Sequence, residues 1–152
     1  MREVAQWKVL RTRIQNNKEQ IFCDWRHRWV RLTPEEWVRQ QLLHRLVEQL
    51  GYPASLIAVE AAFQMPNGKN FRADAVVYDR QTEPLMLIEC KAETVALTQK
   101  TLDQALTYNR RLNVPYLVLN NGPQALFVTI EPNGTNTISE RLPRYTDLLR
   151  CE

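Results

Sequence analysis

The nine residues LMLIECKAE (85–93) run four apolar side chains straight into a carboxylate, a thiol and an ammonium. An apolar run of this length reads as a buried strand. Alternation along it sends Glu89 and Lys91 to one face and Cys90 to the other. Just upstream, FRADAVVY (71–78) reads as a second strand and DRQTEP (79–84) as the turn between the two. With that turn centred between Gln81 and Thr82, Tyr78 opposes Leu85, Val76 opposes Leu87 and Asp74 opposes Glu89. A slip of two residues would still leave both carboxylates on one face. Like charges opposed on an antiparallel pair destabilise it. Either one carboxylate is protonated or a cation lies between them, and Lys91 supplies one positive charge where a divalent ion would supply more.

Working outward, LIAVEAAFQ (56–64) and the turn MPNGKN (65–70) complete a three-stranded meander. Its second and third strands are apolar on both faces, Val76 beside Val77 and Leu87 beside Ile88, which predicts helices on both sides of the sheet. Upstream, Thr33-Pro34-Glu35-Glu36 supplies an N-cap, a proline at the first helical position and acids against the helix dipole. The helix runs to about Leu50, with Val38, Leu42, Leu43, Leu46, Val47 and Leu50 as its core stripe and Gly51 as its stop. Downstream, a helix over Thr98 to Leu112 carries Leu102, Ala105, Leu106 and Leu112 inward. YLVLNNG (116–122) and ALFVTI (125–130) read as strands, and a short helix follows around Tyr145 to Leu149. The result is an α/β fold with a mixed sheet flanked by helices in one domain. Residues 1–33 form a basic arm or strands, 34–130 the core and 131–152 a C-terminal extension.

A chain of 152 residues can bury a sizeable core without disulfides or structural metal. Cys23, Cys90 and Cys151 are odd in number and far apart, so neither a disulfide framework nor a zinc site is indicated. With only His27 and His44, a histidine-based metal site or triad is disfavoured. The absence of a signal-like or membrane-length apolar run predicts a cytoplasmic protein with no membrane partner. Net charge is +3, but residues 1–31 hold eight Lys or Arg against Glu3, Glu19 and Asp24. Within them WRHRWVR (25–31) interleaves Arg26 and Arg28 with Trp25 and Trp29, which suits phosphates and bases or, alternatively, a solvated strand with snorkelling arginines.

Two carboxylates with few nitrogen or sulfur ligands nearby suit a hard, oxygen-preferring ion such as magnesium. That is a layout for phosphodiester hydrolysis, in which Lys91 orients the attacking water or stabilises developing charge. A lone E-x-K arises by chance about once in every two chains of this length, and a strand-end salt bridge is the plain alternative. The trio gains weight from the upstream Asp of matching parity, the apolar lead-in and the amphipathic helix that follows.

Asp74, fourteen intervening residues and then Glu89-Cys90-Lys91 resemble the PD-(D/E)xK nuclease superfamily. More narrowly, TPEEWVRQ, FRADAVVYD, PLMLIECKAE, DQALTYN and YLVLNNG resemble the N-terminal nuclease domain of type I restriction enzyme R subunits in a short stand-alone form, from about Phe22 to Phe127. The resemblance implies a restriction-endonuclease-like αβββαβ core and magnesium-dependent DNA cleavage, with manganese able to substitute. It makes Asp74 and Glu89 metal ligands, adds the Cys90 backbone carbonyl to the metal shell, and makes Lys91 the catalytic lysine. Implied partners are DNA, other restriction or defence subunits and a second copy of the chain. Ala73 stands where the superfamily name has proline. No G-x-x-x-x-G-K-[ST] is present, so the chain has no ATP site of that kind and lacks the translocating motor of full R subunits. A non-catalytic module that only binds nucleic acid or a partner protein is the rival reading.

Around the trio, Gln104 and Tyr108 share a helix face and resemble the Q-x-x-x-Y element of related nucleases, or else mark a solvated helix edge. Glu35 is preferred over Glu36 as the acid aimed at the metal, being placed nearer the centre of the apolar stripe and close to Arg39. Glu60 needs a cation if buried, with Arg39, Arg72 or Lys91 as candidates. Lys100, Arg110, Arg111 and Asn121 are either phosphate contacts or part of a solvated face.

Overall fold

In the computed structural model, which describes residues 8–64 and 67–149, the described residues form nine strands and three α-helices arranged in two sheets. The start of the expected arm, Met65-Pro66 of the expected turn and the side chain of Arg111 lie outside the described residues. Strands β1 (Thr12–Gln15), β2 (Lys18–Cys23) and β3 (Arg28–Arg31) make an antiparallel sheet of their own. Helix α1 (Pro34–Glu48) follows. The Thr33 hydroxyl accepts a hydrogen bond from Glu36 N at 3.1 Å, and Gly51 at φ 74° takes the left-handed turn beyond the helix end.

The six-stranded sheet starts with the meander β4 (Ile57–Gln64), β5 (Asn70–Tyr78) and β6 (Pro84–Cys90). Helix α2 (Gln99–Leu112) then crosses over, so that β7 (Tyr116–Asn120) lies parallel to β6. Strands β8 (Ala125–Ile130) and β9 (Asn136–Ser139) continue antiparallel, and α3 (Tyr145–Leu148) comes last. The run from α1 to β7 is the expected αβββαβ order. Every residue of β7 is buried, as a strand covered on both faces requires. On one side Val38, Leu42, Leu43 and Leu46 of α1 pack on Val77, Met86, Ile88 and Val118. On the other, Leu102 and Ala105 of α2 pack on Val76, Leu87, Leu117 and Val128. Asn109 closes the turn after α2 by exchanging two 3.0 Å hydrogen bonds with the Val114 backbone. No helix among the described residues is long and apolar enough to cross a membrane.

One feature departs from expectation. The hairpin between β5 and β6 keeps Val76 opposite Leu87, but a register shift after Val77 sets Tyr78 opposite Pro84, not Leu85. Its cause is the turn, where the Asp79 carboxylate accepts from the backbone N–H of both Gln81 and Glu83 at 2.9 Å and Thr82 takes φ 64°. In the C-terminal extension β9 pairs with β8, and Leu142, Tyr145 and Leu148 are buried in the α1-side core. Tyr145 also donates from its hydroxyl to Tyr78 O at 3.0 Å. The N-terminal residues form strands, one of the two expected alternatives. Their inner face covers α1, whose buried residues include Glu36, Arg39, Gln40, Gln41 and His44 besides the apolar stripe. Trp25 meets His44 edge-on at 5.1 Å, and Gln41 exchanges hydrogen bonds with the Lys8 backbone at 2.7 and 2.6 Å.

Replacing Thr33 by Ala removes the cap at the start of α1 and should cost about 1 kcal/mol, read as a lower urea midpoint at unchanged m-value.

Candidate active site

Asp74 and Glu89 follow directly on the paired residues Ala75 and Ile88, so the hairpin register carries the two carboxylates to facing positions. Asp74 is fixed from behind, because its Oδ2 accepts the Cys90 N–H at 2.7 Å. Across the other edge of β5, Val59 pairs with Ala75 and Ala61 with Ala73, which leaves Glu60 facing Asp74. Glu60 adopts φ 55°, a left-handed conformation that costs a non-glycine residue about 1 kcal/mol or more. Glu60 and Asp74 share the Arg39 guanidinium, while Glu89 on β6 neighbours Asp74. Burial, the neighbouring Asp74 charge and Glu35 push the Glu89 carboxyl up to about 8, against the pull of Lys91. Asp74 is also raised, mainly by burial, although the Cys90 N–H and Arg39 oppose the shift.

Cations reach these acids from α1 and from the turn after β2. Arg39 grips Glu36 with two hydrogen bonds, Nε to Oε2 at 2.9 Å and Nη2 to Oε1 at 2.6 Å. The same guanidinium stands 3.6 Å from Glu60 and 3.7 Å from Asp74 Oδ1, and donates to Asp74 O at 3.4 Å. Arg26 pairs with Glu36 and lies 3.3 Å from Glu60. Burial would raise the Glu36 carboxyl, but the hydrogen bonds from Arg39 and Arg26 outweigh it and hold Glu36 below its ordinary range. A polar cavity of about 560 Å³ opens here, with Arg28, Arg31, Glu35, Glu60 and Asp74 in its wall.

Of the expected site residues, Asp74 and Glu89 are neighbours, and Lys91 and Glu35 lie within electrostatic reach of both carboxylates. The reason for preferring Glu35 needs correction, since it is Glu36 that is buried against Arg39, while Glu35 is exposed at the cavity. Glu60 joins the cluster, held by Arg26 and Arg39 and not by Arg72 or Lys91. Arg28 is exposed on the cavity wall, whereas Arg26 is consumed by Glu36 and Glu60. Tyr108 stacks flat on Phe71 at 4.1 Å, three residues along β5 from Asp74, and Gln104 and Lys100 are exposed on α2. Asn121 as a phosphate contact is withdrawn. It is buried, and its amide donates to Val95 O and accepts from Gln124 N at 2.9 Å each. Glu36 and Arg39 are the site residues missed as a unit, and their i, i+3 spacing at a helix start was the available signal.

Among the described residues no three His, Cys, Asp or Glu side chains form a metal-ligand group. The pair Asp74 and Glu89, with the Cys90 carbonyl and water, is nonetheless a donor set that magnesium accepts. Glu89 Oε1 favours that fit: it is buried with no hydrogen-bond partner, an acceptor lacking a positive neighbour in contact.

The folded chain keeps a proton on Glu89 up to about pH 8, whereas an unperturbed Glu releases it near 4.5. The native state therefore binds the extra proton between those values, and this group's contribution to stability falls as pH rises through that window. Glu89→Gln should leave the stability of the metal-free chain nearly unchanged at pH 5 and raise it above that of the parent at pH 8 by on the order of a few kcal/mol, read as a higher Tm at pH 8 only. A pH-independent difference would dissociate Glu89 from the effect. Arg39→Ala strips a buried acid of its bidentate partner and should cost about 3–5 kcal/mol by denaturant titration.

The chain matches the family model described as "Type I restriction enzyme R protein N terminus (HSDR_N)" over residues 34–143. Among solved structures it is similar to a fragment assigned as an HsdR subunit of a type I restriction enzyme from Vibrio vulnificus YJ016, with TM-score 0.52 and 19% identity over 73% of this chain. The match spans 25% of that longer chain. A DrdV-DNA complex is also matched, at TM-score 0.47 and 17% identity, over 78% of this chain and 12% of the other. Among curated proteins none matches. The family model spans most of the chain, from the first residue of α1 to beyond β9, and the chain belongs to the type I restriction enzyme R protein N-terminal family.

Proposed function

We propose that this domain is a magnesium-dependent endonuclease of PD-(D/E)xK type that hydrolyses DNA phosphodiester bonds in a restriction or defence setting. The observation that carries the reading is the carboxylate pair: Glu89 is pushed up to about 8 beside Asp74 and keeps one buried oxygen without a partner. Such a pair is unfavourable alone and is relieved by a divalent cation. Asp74, Glu89 and the Cys90 carbonyl would hold magnesium, or manganese in its place. When bound, the ion would neutralise phosphate charge and lower the pKa of water.

The chain's own residues do the rest. Lys91, at the end of β6 and electrostatically coupled to both carboxylates, orients the attacking water and offsets charge developing on the phosphate. The Cys90 N–H and Arg39 fix Asp74 from two directions, so its carboxylate needs little reorganisation. Glu35 adds negative charge at the cavity rim, which favours cation capture. DNA and other restriction subunits enter this reading through the family to which the chain belongs.

Supercoiled plasmid incubated with magnesium or manganese should be nicked, and EDTA, Asp74→Ala or Lys91→Ala should each lower the rate at least about 100-fold. Independently of activity, magnesium at pH 8 should raise the Tm of the parent chain and leave that of Asp74→Ala unmoved. Nicking that survives both substitutions would assign it to other residues. Binding without cleavage would favour the module reading.

A further inference from the structure

The small N-terminal sheet has two faces of opposite character. Ile21 and Cys23 are fully buried on the face towards α1. The strand registers put Arg13, Gln20 and Arg31 in one cross-strand row of the other face, with Phe22 opposite Trp29 in the next and Gln15 opposite Lys18 at the hairpin end. Arg11 extends the Phe22 row, because its carbonyl accepts the Phe22 N–H at 3.0 Å. Arg11, Arg13, Lys18 and Arg31 are all exposed, and none of the residues in these rows is acidic.

The guanidiniums are also ordered. Arg11 lies 4.0 Å from the centre of the Phe22 ring and Arg13 4.3 Å from that of Trp29, while Phe22 and Trp29 meet edge-to-face at 5.5 Å. Arg13 Nε is further held by Gln20 Oε1 at 2.7 Å. A guanidinium laid on a ring cannot pair with a base through its covered face, but its terminal N–H edge stays free, and that edge matches a phosphate in fork geometry. The rings are accordingly occupied as supports and are not offered as a base-stacking platform. Trp29 and Arg31 belong at once to this face and to the wall of the cavity that holds Asp74. The basic face and the cleft are one continuous surface.

We infer that the outer face of the N-terminal sheet grips the phosphate backbone of the DNA duplex flanking the cleft, through Arg11, Arg13, Lys18 and Arg31. This assignment rests on the reading of the cleft as a DNA site, extends it to a separate element outside the region matched by the family model, and uses none of the carboxylates. It explains why four like charges persist on one small sheet: each contact releases a counterion from the duplex, a gain that depends on phosphate density and not on base sequence.

The test is fluorescence anisotropy of the full chain with a labelled 30-base-pair duplex in EDTA, where cutting is suppressed, across 50–200 mM salt. The triple variant Arg11→Gln/Arg13→Gln/Arg31→Gln should bind about tenfold or more weakly at the low-salt end and lose about three from the slope of log affinity against log salt. Lys18→Gln, remote from the ring stacks, should lose about one from the slope with its Tm unchanged, and so guards against a triple variant that merely unfolds the sheet. Arg80→Gln, in the turn at the far end of the β5–β6 hairpin, should leave both quantities as they were. Unaltered slopes in the triple variant and Lys18→Gln, an equal effect of Arg80→Gln, or tighter binding to polyglutamate than to duplex would each overturn the assignment. Binding with these slopes but no metal-dependent nicking would sustain the grip and remove the nuclease reading, whereas nicking with unaltered slopes would do the reverse.

Discussion

One guanidinium joins the parts of this molecule that have to agree. Arg39 leaves α1 between the two sheets, holds Glu36 of its own helix by a bidentate pair, and stands within 3.7 Å of both Glu60 on β4 and Asp74 on β5. Arg26, from the turn between β2 and β3, closes the same junction. Burying so many charges is costly, and their mutual attraction compensates only when each has its partners in place. The helix, the meander and the N-terminal sheet therefore cannot shift independently. The position of the Asp74 carboxylate is a joint property of all three.

That constraint accounts for the polar character of α1. A helix covered on one side by a large sheet shows a single apolar stripe, and this one does. Its other side is buried as well, under β1 to β3, and there the fold uses Gln41 and His44, matched by the Lys8 backbone, Asp24 and the Trp25 ring, and Gln40, whose amide donates to Glu36. Beneath the sheet, the opposed carboxylates run against ordinary folding physics, since burial and repulsion leave one of them protonated near neutrality. A fold that keeps such a pair gives up stability at neutral pH in exchange for a strong demand for positive charge.

Much of this was legible in the chain. Residue alternation and a short turn were enough to place Asp74 opposite Glu89, because a hairpin register is set locally. The cap at Thr33 and the covered sheet followed from residue type and pattern. What escaped was partly the detail of a turn and partly non-local. The bulge at Tyr78 depends on how Asp79 spends its oxygens, and the left-handed backbone of Glu60 has no glycine to advertise it. Choosing between Glu35 and Glu36 needed the direction of Arg26, a residue from another sheet. Asn121 looked like a surface donor because the chain does not reveal that Val95 and Gln124 close over it. The four residues of β9 are all exposed, so no apolar alternation marked them as a strand.

The hairpin also sets an order of assembly. Asp74 and Glu89 are brought together by a short local connection, whereas Arg39 is separated from Asp74 by 35 positions in sequence. Closing the longer loop costs more chain entropy, and contacts of greater sequence separation form more slowly. Loop entropy alone therefore favours closing the hairpin before the contact to Arg39. Bringing the carboxylates together takes up a proton on Glu89, and mild acid lowers the cost of that uptake, so the pH dependence of the refolding rate reports how early the two carboxylates meet.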